Sequence, residues 1–276
     1  MEGVLYSLVS ALCWAFNGIF YKKAVSKVSV STAIFHRTIV SAILFGLISI
    51  NSIHLVLRIS VFTFLILILS AVSSFFLGDY LYLSSLKRCP VSISLPVSST
   101  YPVFVVLISP LVYGASVPSR AFCSAALVTI SIFVLHFRNE KIEKIGVLLA
   151  VLAALLWSLA ILSLDYLTSV LPVSLVAFIR MLICLVLIAP LLNYSEIQNK
   201  ISLGYAGLLG GTLTFIGVFL FITAVDISHS WNVTQPSATS PVISAVLGKV
   251  IFREEITSRL SISILMIFLA ILLLLL

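Results

Sequence analysis

The sequence predicts an all-α membrane protein whose ten transmembrane helices form two inverted five-helix repeats. Three observations carry this prediction: the apolar composition, ten apolar segments of roughly membrane-spanning length, and the similarity between the two halves of the chain. Of the 276 residues, 61% are hydrophobic and only 9% are charged, whereas a typical soluble domain has about 25% charged residues. This composition excludes a soluble fold, and the connections between segments are too short to hold a soluble domain.

A helix needs about 20 apolar residues to cross a bilayer. The apolar segments are continuous and do not alternate between apolar and polar residues, which excludes a transmembrane β-barrel. The ten predicted helices cover residues 3–21, 30–50, 60–86, 91–113, 119–137, 145–164, 172–192, 202–225, 231–252 and 258–276.

The second half of the chain repeats the first. One offset aligns Trp14 with Trp157 and Arg37 with Arg180, and further along a slightly shorter offset aligns Pro102 with Pro241. Two positions aligned in this way are called repeat equivalents below. Pairs of tryptophan, arginine and proline carry more weight than pairs of leucine in so apolar a chain.

The two repeats are expected to span residues 1–138 and 139–276. Because each repeat holds five crossings, the second begins on the opposite side of the membrane from the first. The repeats must therefore be inverted. Inverted repeats allow one molecule two shapes, each open to one side, which is the structural basis of alternating access.

The net charge is +7, from 16 Lys and Arg against 9 Asp and Glu. The basic residues lie at helix ends and in short connections, where they set topology and contact lipid head groups. The expected partner is therefore the lipid bilayer, and nucleic acid is excluded. Most of these residues follow odd-numbered helices, so the positive-inside rule predicts that both termini are outside.

No motif predicts a metal, a cofactor or a catalytic centre. The four cysteines have no CxxC or Cys/His spacing. The sequence contains no GxxxxGK[ST], HExxH or GxSxG pattern, so direct use of ATP is not expected and an intramembrane enzyme is a remote alternative.

The order and duplication of these features resemble the drug/metabolite transporter superfamily, in particular its EamA-type exporters. In the first repeat Ala115 stands where a glutamate is frequent in that family. The resemblance spans the whole chain and rests on Ala-Leu-Cys-Trp-Ala-Phe-Asn at 11–17, its repeat at 154–158, Arg37 and Arg180 in the second helix of each repeat, and the segment 240–256 with Glu254 in the glutamate place.

The resemblance implies a secondary transporter that exports small metabolites, amino acids or related compounds. It also implies cytoplasmic termini, which conflicts with the charge count. We expect a multi-pass protein of the plasma membrane, a monomer or homodimer, with a small-molecule substrate and with protons as a candidate coupling ion. The alternatives are a multidrug or lipid-linked solute exporter and, more remotely, a structural membrane protein.

Asp79 is the first candidate for a functional residue, because ionisable side chains within the bilayer are costly. Three roles are open for its carboxylate. It could bind a coupling proton, act as counter-ion to a substrate ammonium group, or form a structural pair with Arg37 or Lys87. Tyr82, on the same helix, is a candidate cavity residue.

Trp14 and Trp157 lie in the middle of apolar segments rather than at the head-group level where tryptophan is common. They predict either an aromatic cavity wall or plain helix packing. Asn17 lies about one turn from Trp14 on the same helix face and could hydrogen-bond a substrate. Arg37 and Arg180 could serve gating or coupling, or anchor their helices near the head groups.

Prolines interrupt the fourth and ninth helices at matching places. Polar side chains beside interrupted helices in both halves indicate a transport site. The candidate gating residues are Pro96, Pro102, Pro236 and Pro241, and the candidate cavity residues beside them are Ser99, Tyr101, Trp231, Asn232 and Gln235.

Small residues recur at four-residue spacing in the third and eighth helices. Such spacing allows two helix backbones to approach closely. Ser70, Ser74 and Gly78 in the third helix, with Gly207 and Gly211 in the eighth, are therefore expected at helix contacts.

Overall fold

A computed structural model describes residues 1–114, 117–136, 143–252 and 258–275. Ten long helical units run through this part of the chain, and each corresponds to one predicted segment. They are α1 (Glu2–Val25), α2 (Val30–Ser49), α3 (Val61–Arg88), α4 (Val91–Ser98 and Tyr101–Tyr113), α5 (Ser119–His136), α6 (Lys144–Val170), α7 (Val173–Ile188), α8 (Lys200–Asp226), α9 (Ser230–Ser237 and Ser240–Phe252) and α10 (Ser258–Leu275).

Seven helices in the described ranges are long and apolar enough to cross a membrane, namely α1 to α4 and α6 to α8. Helices α5 and α10 supply the shorter apolar stretches Ser119–Val134 and Ser261–Leu275. No strand occurs among the described residues. The prediction of an all-α membrane protein is therefore confirmed.

Helices α4 and α9 are both broken, and at matching positions. The break in α4 falls at Ser99 and Thr100, and the break in α9 falls at their repeat equivalents, Ala238 and Thr239. A proline follows each break closely, and proline cannot donate the backbone bond that would continue the helix. Each threonine hydroxyl instead donates to a backbone carbonyl three residues earlier, at 2.8 Å from Thr100 and 2.7 Å from Thr239.

Helices α3 and α8 each contain a wide turn, Val72–Phe76 in α3 and Leu203–Gly210 in α8. Such π-type turns insert a residue into the helical ladder and are frequent at functional sites. The turn in α3 directly precedes Gly78 and Asp79.

The helices pack in pairs across the two halves. Helix α1 packs against α8, as α6 packs against α3, and α1 contacts α9 as α6 contacts α4. Helix α2 packs against α7, and α5 against α10. Replacing each helix by the one five places along therefore returns each of these contacts.

The contact between α5 and α10 repeats this exchange at atomic detail. Ser124 donates its hydroxyl to the carbonyl of Ala270 at 2.9 Å, and Ser263 donates to the carbonyl of Ser131 at 2.9 Å. At the offset that aligns the prolines, Ser263 is the repeat equivalent of Ser124, and Ala270 is the repeat equivalent of Ser131. The two hydrogen bonds are thus the same contact made in both directions.

Candidate functional site

A cavity of about 140 Å³ lies where helices of both halves meet. A cavity needs only about 10–15 Å³ to hold one water molecule, so this one has room for a small metabolite. Its wall consists of Trp14, Asn17, Gly18, Tyr21, Arg37, Ser74, Phe75, Asp79, Tyr82, Leu95, Ser99, Tyr101, Trp157, Ala160, Ile161, Leu164, Arg180, Thr214, Val218, Phe221, Ile222 and Ser240.

Asp79 forms the centre of a polar network in this cavity. Its Oδ2 forms an ion pair with Arg37 Nη1, and its Oδ1 accepts a hydrogen bond from Trp157 Nε1 at 3.0 Å. The Arg37 guanidinium also donates to the backbone carbonyl of Phe75 at 3.4 Å. Of the three roles that the sequence left open for Asp79, the structure contains the pair with Arg37.

Arg180 lies on the cavity wall, and none of the described carboxylates is in contact with it. The residue is 3% exposed, and among the described residues its guanidinium donates to Ser74 Oγ at 2.8 Å. The same group lies over the ring of Phe75, 4.6 Å from its centre, in a cation–π arrangement. Arg37 is equally buried, so neither arginine reaches out of the protein as a head-group anchor would.

A second polar group connects α1 to α8. Tyr21 Oη lies 2.5 Å from Thr214 Oγ1 and donates to the carbonyl of Gly210 at 3.2 Å. Asn17 Nδ2 donates to the same threonine at 3.2 Å. Among the described residues, the Oδ1 atom of Asn17 and the hydroxyl of Tyr82 are buried and have no hydrogen-bond partner.

Both predicted tryptophans line the cavity, and each packs against a glycine of the other half. A Cβ on Gly78 would lie 2.7 Å from Trp157 Cδ1, and a Cβ on Gly217 would lie 3.2 Å from Trp14 Nε1. Gly217 is the repeat equivalent of Gly78. Trp14 also packs on Phe221, with ring centres 5.3 Å apart, so the wall is strongly aromatic.

The cavity brings together nine of the residues singled out from the sequence: Trp14, Asn17, Arg37, Asp79, Tyr82, Ser99, Tyr101, Trp157 and Arg180. Tyr101 closes against the other broken helix, since its hydroxyl lies 2.6 Å from Ser237 Oγ. Tyr82 and Tyr101 both pack on Trp157, with ring centres 5.3 and 6.3 Å away.

Three predicted cavity residues on the first half of α9 lie elsewhere. Gln235 is fully buried and donates to the carbonyl of Ala121 in α5 at 3.3 Å. Trp231 stacks on His229, with ring centres 5.6 Å apart, and Asn232 is half-buried, with no described group hydrogen-bonded to its Oδ1. The helix break turns this stretch away from the cavity, and Ser240 lines the wall from beyond the break.

The four predicted gating prolines are not cavity residues either. Pro96, Pro102 and Pro236 are buried within the helices that they interrupt. Pro241 lines a separate depression together with Ile19 and Val91. The prolines therefore affect the site through the path that α4 and α9 take. Glu254 and Ala115, which were singled out in the comparison with the EamA-type exporters, lie outside the described residues.

The sequence reasoning did not select Tyr21, Phe75, Thr214 or Phe221 as wall residues. A helical signal for Tyr21 existed, because Trp14, Asn17 and Tyr21 are spaced by three and four residues along one face. Phe75 had a similar signal, since Phe75, Asp79 and Tyr82 are spaced by four and three residues.

Comparison with known proteins agrees with this architecture. A crystal structure matches the fold with a TM-score of 0.77 over 98% of this chain and 95% of that chain, at 17% identity. An uncharacterized transporter of Archaeoglobus fulgidus is 48% identical over 276 residues, which is all of this chain and 99% of that protein. The model of the EamA-like transporter family matches residues 1–137 and again 144–276. The chain therefore belongs to the EamA-like transporter family and is a multi-pass membrane transporter.

Proposed function

We propose that this transporter is a secondary exporter that moves small metabolites, amino acids or related compounds, outward across the plasma membrane by alternating access. The observation that carries the proposal is the buried cavity, because both halves of the chain build its wall. Arg37 and Asp79 come from the first half, and Trp157 and Arg180 from the second. A solute in this cavity would contact both halves, so movement of one half against the other would expose it to either side.

Alternating access in turn rests on inverted repeats, proposed for residues 1–138 and 139–276. Two observations support them. The contacts of α1 with α8 and α9, of α2 with α7 and of α5 with α10 are preserved when each helix is exchanged for the one five places along. The hydrogen bonds of Ser124 and Ser263 between α5 and α10 are the same contact made in both directions. Such symmetry would allow the chain two conformations, one open to each side.

The cavity favours metabolites over lipophilic cations as substrates. Its charged residues are Arg37, Arg180 and Asp79, two positive groups against one negative. Both carboxylate oxygens of Asp79 already have partners in Arg37 and Trp157. A cationic drug would therefore meet a net positive wall and no carboxylate free to pair with it.

Export would be driven by the proton gradient or by the substrate gradient alone. The role of Asp79 distinguishes these two energy sources. If protonation of Asp79 releases Arg37, proton binding controls whether the ion pair holds α2 and α3 together. If the pair is permanent, Asp79 is structural and the protein is a facilitator.

The test is solute flux from proteoliposomes that contain the purified protein and a mixed pool of amino acids and metabolites. Flux is measured with and without an imposed pH gradient, for the wild type and for Asp79→Asn. Saturable flux that the gradient stimulates, with the stimulation lost in the variant, supports proton-coupled export. Gradient-independent flux in both proteins identifies a facilitator, and the absence of flux of any pool member contradicts the proposed substrate class.

A further inference from the structure

Arg180 carries a positive charge that no carboxylate among the described residues contacts. It is 3% exposed and lines the cavity, and within the described ranges no group hydrogen-bonds its buried Nε. Asp79 lies in the same cavity but is paired with Arg37, and a buried charge that no opposite charge contacts is unfavourable. In a membrane protein such a group marks a functional site rather than a packing position.

The asymmetry between the two halves identifies the missing group. Arg37, the repeat equivalent of Arg180, pairs with the carboxylate of Asp79. The repeat equivalent of Asp79 is Val218, which also lines the cavity and is 7% exposed. Where the first half supplies a carboxylate to its arginine, the second half supplies an isopropyl group.

We propose that Arg180 binds the carboxylate of the substrate, so that the ligand supplies the negative charge which Val218 does not. This inference rests on the transport function proposed above and names the group by which the substrate is held. A guanidinium presents its donors in a planar fork that matches a carboxylate, and charge-assisted bonds of this kind are about twice as strong as neutral ones.

The remainder of the wall defines the remainder of the ligand. Leu164, Val218 and Phe221 give the cavity an apolar side that suits an aliphatic or aromatic group. Asn17 also lines the wall, and its Oδ1, which has no hydrogen-bond partner in the described part of the chain, is an acceptor for an ammonium or hydroxyl group of the same molecule. A small apolar amino acid or hydroxy acid carries all three features.

The first experiment compares three pools of matched solutes in proteoliposomes. One pool holds apolar L-amino acids, the second their amides, which lack the carboxylate, and the third the corresponding deamino acids, which lack the amino group. Wild-type protein is expected to transport the two carboxylate pools at least about tenfold faster than the amides, because a charged hydrogen bond is worth more than about 1.4 kcal/mol. Equal transport of amino acids and amides by the wild type would overturn the carboxylate site while leaving the transport function intact.

Variants of Arg180 show whether this residue is responsible. Arg180→Gln should lose the preference for carboxylates, and Arg180→Lys should keep part of it, because the charge remains while the fork is lost. The matched control is Arg88→Gln, since Arg88 lies at the end of α3 and its half-exposed side chain pairs with Glu143. A carboxylate preference that survives in Arg180→Gln would contradict the proposal. Size-exclusion profiles and thermal unfolding in detergent identify variants that fail to fold.

Val218→Asp provides a second test that does not remove the arginine. The new carboxylate should pair with Arg180 as Asp79 pairs with Arg37, so the protein should fold but lose its preference for carboxylate solutes. Val218→Asn introduces a side chain of the same shape as aspartate but without its charge, so this variant should retain the preference for carboxylate solutes. If Val218→Asp transports the carboxylate pools as the wild type does, Arg180 is not their binding partner.

Direct binding separates the outcomes when flux is absent from every pool. Such a result contradicts the proposed transport of amino-acid-like metabolites, and quenching of tryptophan fluorescence by 4-methylpentanoate then decides the site, because Trp14 and Trp157 line the cavity. Saturable quenching that is lost in Arg180→Gln supports carboxylate binding, and no quenching overturns it. Displacement of 4-methylpentanoate by an equal concentration of inorganic phosphate would mean that Arg180 binds phosphate rather than a carboxylate, and it would also overturn the proposal.

Discussion

Trp157 donates its indole N–H to Asp79 across 3.0 Å, and this hydrogen bond joins the two halves of the chain inside the cavity. The same carboxylate forms an ion pair with Arg37, so one side chain on α3 connects α2 and α6. Gly78 allows the tryptophan to approach, because any side chain there would occupy the position of the indole ring. The centre of the site therefore depends on three adjacent features of α3: a wide turn, a glycine and an aspartate.

Asp79→Asn is expected to destabilise the protein strongly. The substitution leaves Arg37 and Arg180 buried in a cavity whose described wall holds no carboxylate, and breaking a buried ion pair by removing one partner costs about 3–5 kcal/mol. Thermal unfolding of the purified protein in detergent measures the loss.

The double variant Arg37→Gln, Asp79→Asn is the control for this prediction. Removing both charges should recover a large part of the lost stability, because no ion is left without its partner. If the double variant is as unstable as the sum of the two single variants, Arg37 and Asp79 are not energetically coupled and the ion pair does not hold the site together.

Gly78→Ala should reduce both stability and transport. The new Cβ would clash with the backbone carbonyl of Ser73 and would lie 2.7 Å from Trp157 Cδ1 and 2.8 Å from Trp157 Nε1, so the wide turn and the indole must shift and the hydrogen bond to Asp79 should weaken. Overpacking of this kind costs about 1–3 kcal/mol. Gly204→Ala in α8 is the matched control, because nothing lies within 4 Å of a Cβ at that position, and it should be neutral or slightly stabilising. Equal melting temperatures for the two variants would contradict the close contact.

Ser124→Ala and Ser263→Ala are expected to have nearly equal effects on stability. Each removes one interhelical hydrogen bond of 2.9 Å between α5 and α10, and such bonds within membrane proteins average about 0.6 kcal/mol. Transport should continue in both variants, since neither serine lines the cavity. A loss from Ser124→Ala several times that from Ser263→Ala, measured by thermal unfolding, would argue against the proposed symmetry of this contact.

The sequence predicted the ten helices and part of the cavity wall, because apolar segments and repeated residues reflect the fold directly. Trp14 with Trp157 and Arg37 with Arg180 were identified from the repeat alone, and all four line the cavity. The breaks in α4 and α9 followed from their prolines. The two breaks fall at repeat-equivalent positions, which agrees with the duplication read from the sequence.

Features that depend on tertiary contacts were beyond the sequence. Helix α6 continues to Val170, past the predicted end at 164, because Thr168 donates to a backbone carbonyl and Asp165 accepts a bond from the backbone of Ser230. Lys22 was counted as a residue that sets topology, yet its ammonium donates to the backbone carbonyls of Leu86 and Cys89 at the end of α3. These polar residues hydrogen-bond to the backbone at helix ends. Composition alone cannot tell such a residue from one in an aqueous loop.

The start of α2 should respond to acid through Glu196. This carboxylate lies in the connection between α7 and α8 and accepts a hydrogen bond from the backbone N–H of Ser29, the N-cap of α2, at 2.7 Å. Hydrogen bonds from Ser29 hold the pKa of Glu196 below its usual 4.5. A group whose pKa is lowered by folding adds stability that is fully present above the unfolded pKa and is lost as the pH falls through the folded pKa.

Glu196→Gln removes this titration while keeping an acceptor at the same place. The melting temperature of the wild type should therefore exceed that of the variant near neutral pH, and the difference should shrink as the pH is lowered from about 6 to about 3. The other carboxyl groups titrate in both proteins, so the difference between the two melting curves isolates Glu196. A difference that stays constant over this range, or grows towards low pH, would mean that folding does not lower the pKa of Glu196.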